Sequence, residues 1–326
     1  MHPYESFLPV IDWVRQAAKD PSVLSIKQTL YRTNESSELV QALAEAARFD
    51  EEENINFASI LQEAGAVVVY GVMGYKTHAK MLLFVRREGN ELKRYAHLGT
   101  GNYHRKNSLI YTDYSLLTAD ETLCADVHKV FQQITGMGKK IHPNLLIHAP
   151  FNLKKSLLKL IAEEAAAAEA GKEARIVAKL NALTDPEMIR ALYEASNAGV
   201  KVDLIVRGMC CLRPGIEGVS ENIRVVSIIG RFLEHSRVYY FKNSEQQLYC
   251  SSADWMERNL SNRIEVCFPI LKKKHQSRIL TEIEWHLEDE IQCWELGADG
   301  EYTKIQHATT QESAQGVQQR LLEKLA

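Results

Sequence analysis

Two short motifs carry most of the chemistry in this sequence. His78-Ala79-Lys80 and His235-Ser236-Arg237 each place an imidazole two residues before a cation. An unpaired imidazole, whose ordinary pKa is about 6.5, is largely the free base at neutral pH and can attack phosphorus. Phosphoryl transfer asks the protein mainly for positioning and for cations around the equatorial oxygens. Residues two apart on a strand share a face, so each motif would present a nucleophile and a phosphate-binding cation on one surface. A single H-x-K is more often a strand histidine packed in a sheet. Recurrence at equivalent places in one chain favours the chemical reading.

The elements around the motifs recur as well. The segment from Gly74 to Phe84 lays over Arg231 to Phe241, so that His78 falls on His235 and Lys80 on Arg237. Further on, His97-Leu98-Gly99-Thr100-Gly101-Asn102-Tyr103 matches Tyr249-Cys250-Ser251-Ser252-Ala253-Asp254-Trp255. Each copy opens with an apolar strand (Val23 to Tyr31; Arg175 to Leu183). A helix with apolar residues at three and four spacing follows (Leu39, Leu43, Ala46, Ala47; Ile189, Leu192, Ala195). Strands alternating with helices predict a largely parallel sheet covered by helices, twice over. Gly136, Gly138, Lys139, Lys140 and Pro143 interrupt the pattern, so the boundary is expected between Gly136 and Pro150, dividing residues 1–140 from 141–326.

Composition narrows the function. With 39 Lys+Arg against 42 Asp+Glu the formal charge is −3, which excludes a nucleic-acid binder working by bulk positive charge. At 326 residues and 45% apolar content, two globular domains are expected. The apolar stretches, such as Ala64 to Val72, fall short of a spanning helix, and the polar start His2-Pro3-Tyr4-Glu5 is not of the secretory kind. The six cysteines lack C-x-x-C spacing and read as reduced thiols in a cytosolic protein.

The repeat also exposes a gap. After its helix the second copy continues through a turn and the strand Val200 to Val206, whereas the first passes from Ala47 directly to Arg48-Phe49-Asp50. Loss of a strand buried on both faces would orphan its neighbours' ladder bonds. Either residues present in the molecule are skipped here, or this copy is built differently.

The chain resembles the C-terminal half of polyphosphate kinases, bacterial enzymes whose two C-terminal domains resemble the phospholipase D fold. The match covers most of the chain. It includes His2-Pro3-Tyr4-Glu5-Ser6-Phe7, Ile26 to Thr33, Ala47-Arg48-Phe49-Asp50-Glu51-Glu52, Lys76-Thr77-His78-Ala79-Lys80, His97 to Asn102, Tyr111-Thr112-Asp113, Leu116 to Asp120, Val206-Arg207-Gly208-Met209-Cys210, Leu233 to Arg237 and Ser251 to Met256.

The resemblance implies two tandem phospholipase D-like α/β domains, each a mainly parallel mixed sheet flanked by helices. It implies a turn and strand between the blocks ending at Ala47 and beginning at Arg48, in agreement with the gap shown by the repeat, and that the chain lacks the family's N-terminal and helical domains. It further implies ATP:polyphosphate phosphotransfer through a phosphohistidine on His78, with His235 opposite as acid/base or phosphate ligand. Tyr111 and Arg207 match positions that contact ATP, beside Lys80 and Arg237. Arg32 and Arg48 match arginines of the Mg²⁺–phosphate region. Arginine has no acceptor lone pair, so those two are expected to grip phosphate oxygens rather than the metal. The implied partners are ATP/ADP and inorganic polyphosphate, with no nucleic acid and no transmembrane segment. The implied setting is the cytoplasm, at or away from a membrane surface, and a homo-oligomer when full length.

Two rival functions remain open. Phospholipase D-type phosphodiesterases and nucleases use the same two histidines, but generally carry Asp where this chain has Val85 and Lys242. The chain could also be a non-catalytic polyanion-binding fragment. Among other residues, His97 and His104 flank Gly99-Thr100-Gly101-Asn102, a loop able to offer backbone N–H groups to phosphate. Asp50-Glu51-Glu52-Glu53 reads as a solvated helix start, Lys272-Lys273-Lys274 as a solvated loop, and Glu163 to Glu169 as an exposed helix face. His128, His148, His275 and His286 read as structural or exposed.

Overall fold

The computed structural model describes residues 1–30, 41, 43–44, 62, 66–69, 71–72, 74–136, 141–305 and 315–325. Arg32, Arg48, the Ala47-Arg48 junction, the acidic run Asp50 to Glu53 and the boundary at 140 and 141 fall outside those residues or at their edge.

In chain order the first half contributes β1 (Val23–Gln28), β2 (Lys76–Thr77), β3 (Lys80–Glu88), β4 (Glu91–Gly99), β5 (Tyr111–Thr112) and β6 (Ser115–Thr118). The second contributes β7 (Ile147–Ala149), β8 (Arg175–Leu180), β9 (Lys201–Val206), β10 (Ile223–Ile228), β11 (Leu233–Glu234) and β12 (Val238–Phe241). It continues with β13 (Leu248–Ser251), β14 (Arg263–Pro269), β15 (Cys293–Leu296) and β16 (Tyr302–Lys304).

These strands build two main sheets. One has the order β1-β3-β4-β6; the other runs β16-β15-β10-β9-β8-β12-β13-β14-β2, with β7 also on β14. The mixed α/β class with flanking helices holds, but the pairing is less parallel than the alternation predicts. β8, β9 and β10 form a parallel block, while every pairing in the first sheet's described strands is antiparallel. Short connections explain the difference: Glu88 pairs with Glu91 across the two-residue turn Gly89-Asn90, where Gly89 takes φ +60°. Such a turn can only return the chain antiparallel.

Burial follows the pleat. In β3, Met81 and Leu83 face a core shared with Val127 and Phe131, while Leu82 and Phe84 face the helix Leu8–Lys19 through Val10, Ile11 and Val14. The shared core also takes Val177, Ile205, Val238, Val266 and Ile283 from the second half, so the halves are welded face to face. Each such side chain contributes roughly 1.5–3 kcal/mol on burial. The far face of the large sheet packs on the helices Leu153–Glu169 and Pro186–Asn197 through Leu157, Leu192, Leu204 and Tyr239. Asp120 and Asp185 cap their helices by accepting from backbone N–H groups at Leu123 (2.9 Å) and at Glu187 and Met188 (both 3.1 Å).

Glu164 departs from the exposed helix face expected for Glu163 to Glu169. It is fully buried and accepts from Asn243 Nδ2 (2.8 Å) and Arg175 N (3.2 Å), tying that helix to the β12–β13 turn and to the start of β8. Lys272, Lys273 and Lys274 are exposed at the start of the helix Lys273–Leu287.

Candidate active site

Both H-x-K/R motifs sit where the chain crosses between halves. β2 pairs in parallel with β14 of the second half, and β3, which follows it, enters the first half's own sheet. Likewise β11 pairs in parallel with β5 of the first half, and β12 enters the second half's sheet. His78 and His235 occupy the breaks between these strands rather than strand interiors. Each imidazole and its cation therefore meet at a crossover rather than on one face of a regular strand. Within it, His78 N and Ala79 N both donate to Ile264 O, at 2.9 and 2.8 Å.

Register then dictates the partners. Thr77 lies opposite Ile264, so the next position sets His78 against Glu265; Thr112 lies opposite Glu234, so the next sets Asp113 against His235. His78 Nδ1 is 2.8 and 2.9 Å from the Glu265 oxygens, and His235 Nδ1 is 2.8 and 2.9 Å from those of Asp113. Each imidazole is held by a carboxylate of the opposite half. A carboxylate only accepts, so each ring donates Nδ1–H and carries its lone pair on Nε2.

A hydroxyl orients each carboxylate in turn. Thr100 Oγ1 donates to Asp113 Oδ1 at 2.7 Å, and Ser252 Oγ donates to Glu265 Oε2 at 2.5 Å, joined there by Asn259 Nδ2 at 2.7 Å. The Gly99-Thr100-Gly101-Asn102 loop thus supports Asp113 through the Thr100 side chain. A Cβ on Gly101 would lie 2.0 Å from Asp113 Oδ2, which explains the glycine. His97 turns to Tyr103, its Nδ1 2.7 Å from the hydroxyl, and burial pulls its pKa down to about 3. His104 caps the short turn Arg105–Ser108 by accepting from Asn107 N.

The cations are buried beside the rings. Lys80 is 1% and Arg237 3% exposed. Lys80 Nζ donates to His78 O. Arg237 pairs with Asp254, Nη2 to Oδ2 at 3.0 Å, and donates through Nη1 to Thr100 O (3.1 Å) and His235 O (2.9 Å). Asp254 also accepts from Asn181 N at 2.7 Å; burial pushes its carboxyl up, but Arg237 and these donors hold it at about 2.

Burial pulls His78 down to about 4 against the opposing pull of Glu265, and the Lys80 and Arg237 charges lower it further. Burial also lowers His235, which feels Asp113, Arg237 and Lys80. Each ring senses the other motif's cation, so the two motifs share one electrostatic field. Both imidazoles are neutral bases at pH 7. Lys80 is brought down to about 7 by burial, opposed by Glu265, so an incoming phosphate would restore its charge.

Of the remaining predicted residues, Tyr111 and Arg207 come to the same place. The Tyr111 ring centre is 5.1 Å from that of His235, tilted by 49°. Arg207 is lowered by burial and by Arg237, feels Asp254, Tyr111 and Asp113, and keeps Nη1 buried without a hydrogen-bond partner among the described residues. Glu265 lies in no motif of the sequence, and Asp113 stands only within Tyr111-Thr112-Asp113. A signal existed: Thr100 precedes Asp113, and Ser252 precedes Glu265, by the same 13 positions.

Comparison with known proteins supplies the family. A model described as polyphosphate kinase C-terminal domain 1 matches residues 1–140, and one described as polyphosphate kinase C-terminal domain 2 matches residues 146–316. The chain belongs to the polyphosphate kinase family. A polyphosphate kinase of Pseudomonas aeruginosa is 60% identical over 341 residues, covering 100% of this chain and 49% of that protein. One of Burkholderia multivorans is 52% identical, covering 96% of this chain and 49% of its own length. The chain therefore spans about half the length of these curated relatives. The crystal structure of polyphosphate kinase from Porphyromonas gingivalis superposes with a TM-score of 0.91 at 32% identity, over 100% of this chain and 52% of that one.

Proposed function

We propose that this chain is the catalytic part of a polyphosphate kinase, transferring the γ-phosphoryl group of ATP reversibly to the end of inorganic polyphosphate through a phosphohistidine on His78. The observation that carries the reading is the crossed arrangement, in which each neutral imidazole is held at Nδ1 by a carboxylate from the other half beside a buried cation.

In the first step the Nε2 lone pair of His78 forms a bond to the γ-phosphorus while the bond to the β-bridging oxygen breaks, its electron pair leaving with ADP. Glu265 offsets the positive charge that grows on the ring, as an orienting carboxylate does for a nucleophile's base. In the second step a terminal polyphosphate oxygen attacks the same phosphorus and the N–P electron pair returns to Nε2. His235 faces the leaving or entering oxygen. Lys80, Arg237 and Arg207 surround the transferred oxygens, where low dielectric makes preset charge most effective. Tyr111 lies against His235 on the nucleotide side.

Arg32 and Arg48 stay in the proposal as phosphate-gripping groups. Among the described residues no cluster of three His, Cys, Asp or Glu could hold a metal ion. The carboxylates at the site are engaged by imidazoles and cations, so Mg²⁺ would be held through the phosphates that Arg32 and Arg48 grip, where it would offset their charge, and no step is assigned to it. No described helix is long and apolar enough to cross a membrane. A cytoplasmic setting, division near residue 140 and a homo-oligomeric full-length protein complete the reading.

The test is ATP-dependent polyphosphate formation by the full-length protein, with γ-labelled ATP to trap the adduct. Label on His78 that is lost in His78→Ala supports the assignment. Hydrolysis of plasmid or phospholipid without polyphosphate formation would replace it with the phosphodiesterase reading. Polyanion binding without either reaction would leave a binding module.

A further inference from the structure

The ribbon that carries His235 and Tyr111 is short. β5 and β11 pair over two positions only, and an isolated two-stranded ribbon is marginal in water. Something else must hold it. Gln318, on the helix Val317–Leu325 near the C-terminal end of the chain, is 2% exposed and spends its whole amide on this segment. Its Oε1 accepts from Phe232 N at 2.9 Å, and its Nε2 donates to Phe232 O at 2.9 Å and to Glu234 Oε1 at 2.7 Å. This is the bonding that a third strand would supply, delivered by one side chain.

The connection continues to the histidine. Glu234 Oε2, buried, accepts from Thr112 Oγ1 at 2.9 Å and from Lys179 Nζ at 2.7 Å, with His286 Nε2 at 3.3 Å. Thr112 Oγ1 in turn accepts from His235 N at 3.1 Å. An unbroken path of hydrogen bonds therefore runs from the terminal helix to the backbone of His235. The helix is itself anchored by Asp289, which accepts from Val317 N, and by buried Leu321.

We propose that Gln318 is a positioning residue for phosphoryl transfer: it sets the register of the β11 segment and, through Glu234 and Thr112, the place of His235. This rests on the function proposed above. Displacing a reacting group by about 1 Å can cost as much as a hundredfold in rate, and loss of one such anchor is expected to lower kcat about tenfold.

The experiment uses the full-length protein and the rate of polyphosphate synthesis. Gln318→Met keeps the volume and removes the amide; kcat is expected to fall about tenfold with KM for ATP little changed. Arg320→Ala, on the same helix but with its guanidinium 4.1 Å from the Trp285 ring centre, is expected to keep the parent kcat. Thr112→Val interrupts the path from the other side and should show the same kcat-selective loss. The double variant should be barely slower than the worse single, because both changes break one path.

Multiplying losses in the double variant, or a folded Gln318→Met at parent kcat, would overturn the proposal. If Gln318→Met does not fold, parent kcat in Thr112→Val overturns it alone. A parent protein that makes no polyphosphate would instead sink the function reading.

Discussion

Replacing Glu265 with alanine tests the crossed geometry most sharply. The carboxylate takes both His78 Nδ1 contacts, at 2.8 and 2.9 Å, and is fully buried. Hydrogen bonds to charged groups contribute about 1.5–3 kcal/mol, and 1.4 kcal/mol is a factor of ten. The rate of His78 phosphorylation should therefore fall about 10- to 140-fold. Glu265→Gln keeps a neutral acceptor and should lose only about 3- to 10-fold, since charge-assisted bonds are roughly twice as strong as neutral ones. The alanine change also strands the donors Ser252 Oγ and Asn259 Nδ2, so thermal melting must accompany the kinetics. The assay is single-turnover labelling with γ-labelled ATP, scored on the peptide that contains His78. A folded Glu265→Ala protein labelled at the parent rate would refute the argument.

Other consequences are open to measurement. Asp254→Ala leaves buried Arg237 without its ion pair and should lower stability by about 3–5 kcal/mol, read as a shift in the denaturant midpoint; an unchanged midpoint would show the pair to be dispensable. Gly101→Ala pushes a methyl group into Asp113 and should cost about 1–3 kcal/mol as overpacking while lowering activity through His235, so a fully active, fully stable variant would contradict the placement. His78, His97 and His148 are held neutral by burial, at about 4, 3 and 4 respectively. Their pKa values lie below that of the unfolded chain, which then binds more protons, so unfolding free energy should fall as pH drops from about 6.5 towards 4. A urea midpoint flat across that window would contradict the burial of these rings.

Much of the candidate site is legible in the sequence because its parts are local and doubled. The H-x-K/R spacing and the repeat located His78, Lys80, His235 and Arg237, and the family resemblance added Tyr111 and Arg207, which the fold brings to the same place. The orienting carboxylates escaped because each serves a histidine from the other half. Glu265 is 187 positions from His78, and no spacing rule links residues whose meeting depends on two-residue strand pairings. Thr100's bond to Asp113 is hidden for a related reason, since it joins positions 13 apart through a side chain. The sheets are less parallel than helix–strand alternation predicts, because that alternation says nothing of hairpins such as β3–β4. The buried role of Gln318 had no sequence signal, since a glutamine on an amphipathic helix is ordinarily solvated.

The most direct test is the structure of the full-length protein with a non-hydrolysable ATP analogue, read as the distances from both Nε2 atoms to the γ-phosphorus. His78 Nε2 is expected within about 3.5 Å of phosphorus, in line with the bond to be broken, with His235 on the opposite side and Lys80 and Arg237 on the γ-oxygens. A γ-phosphate seated away from His78, or reached by only one of the two rings, would contradict it.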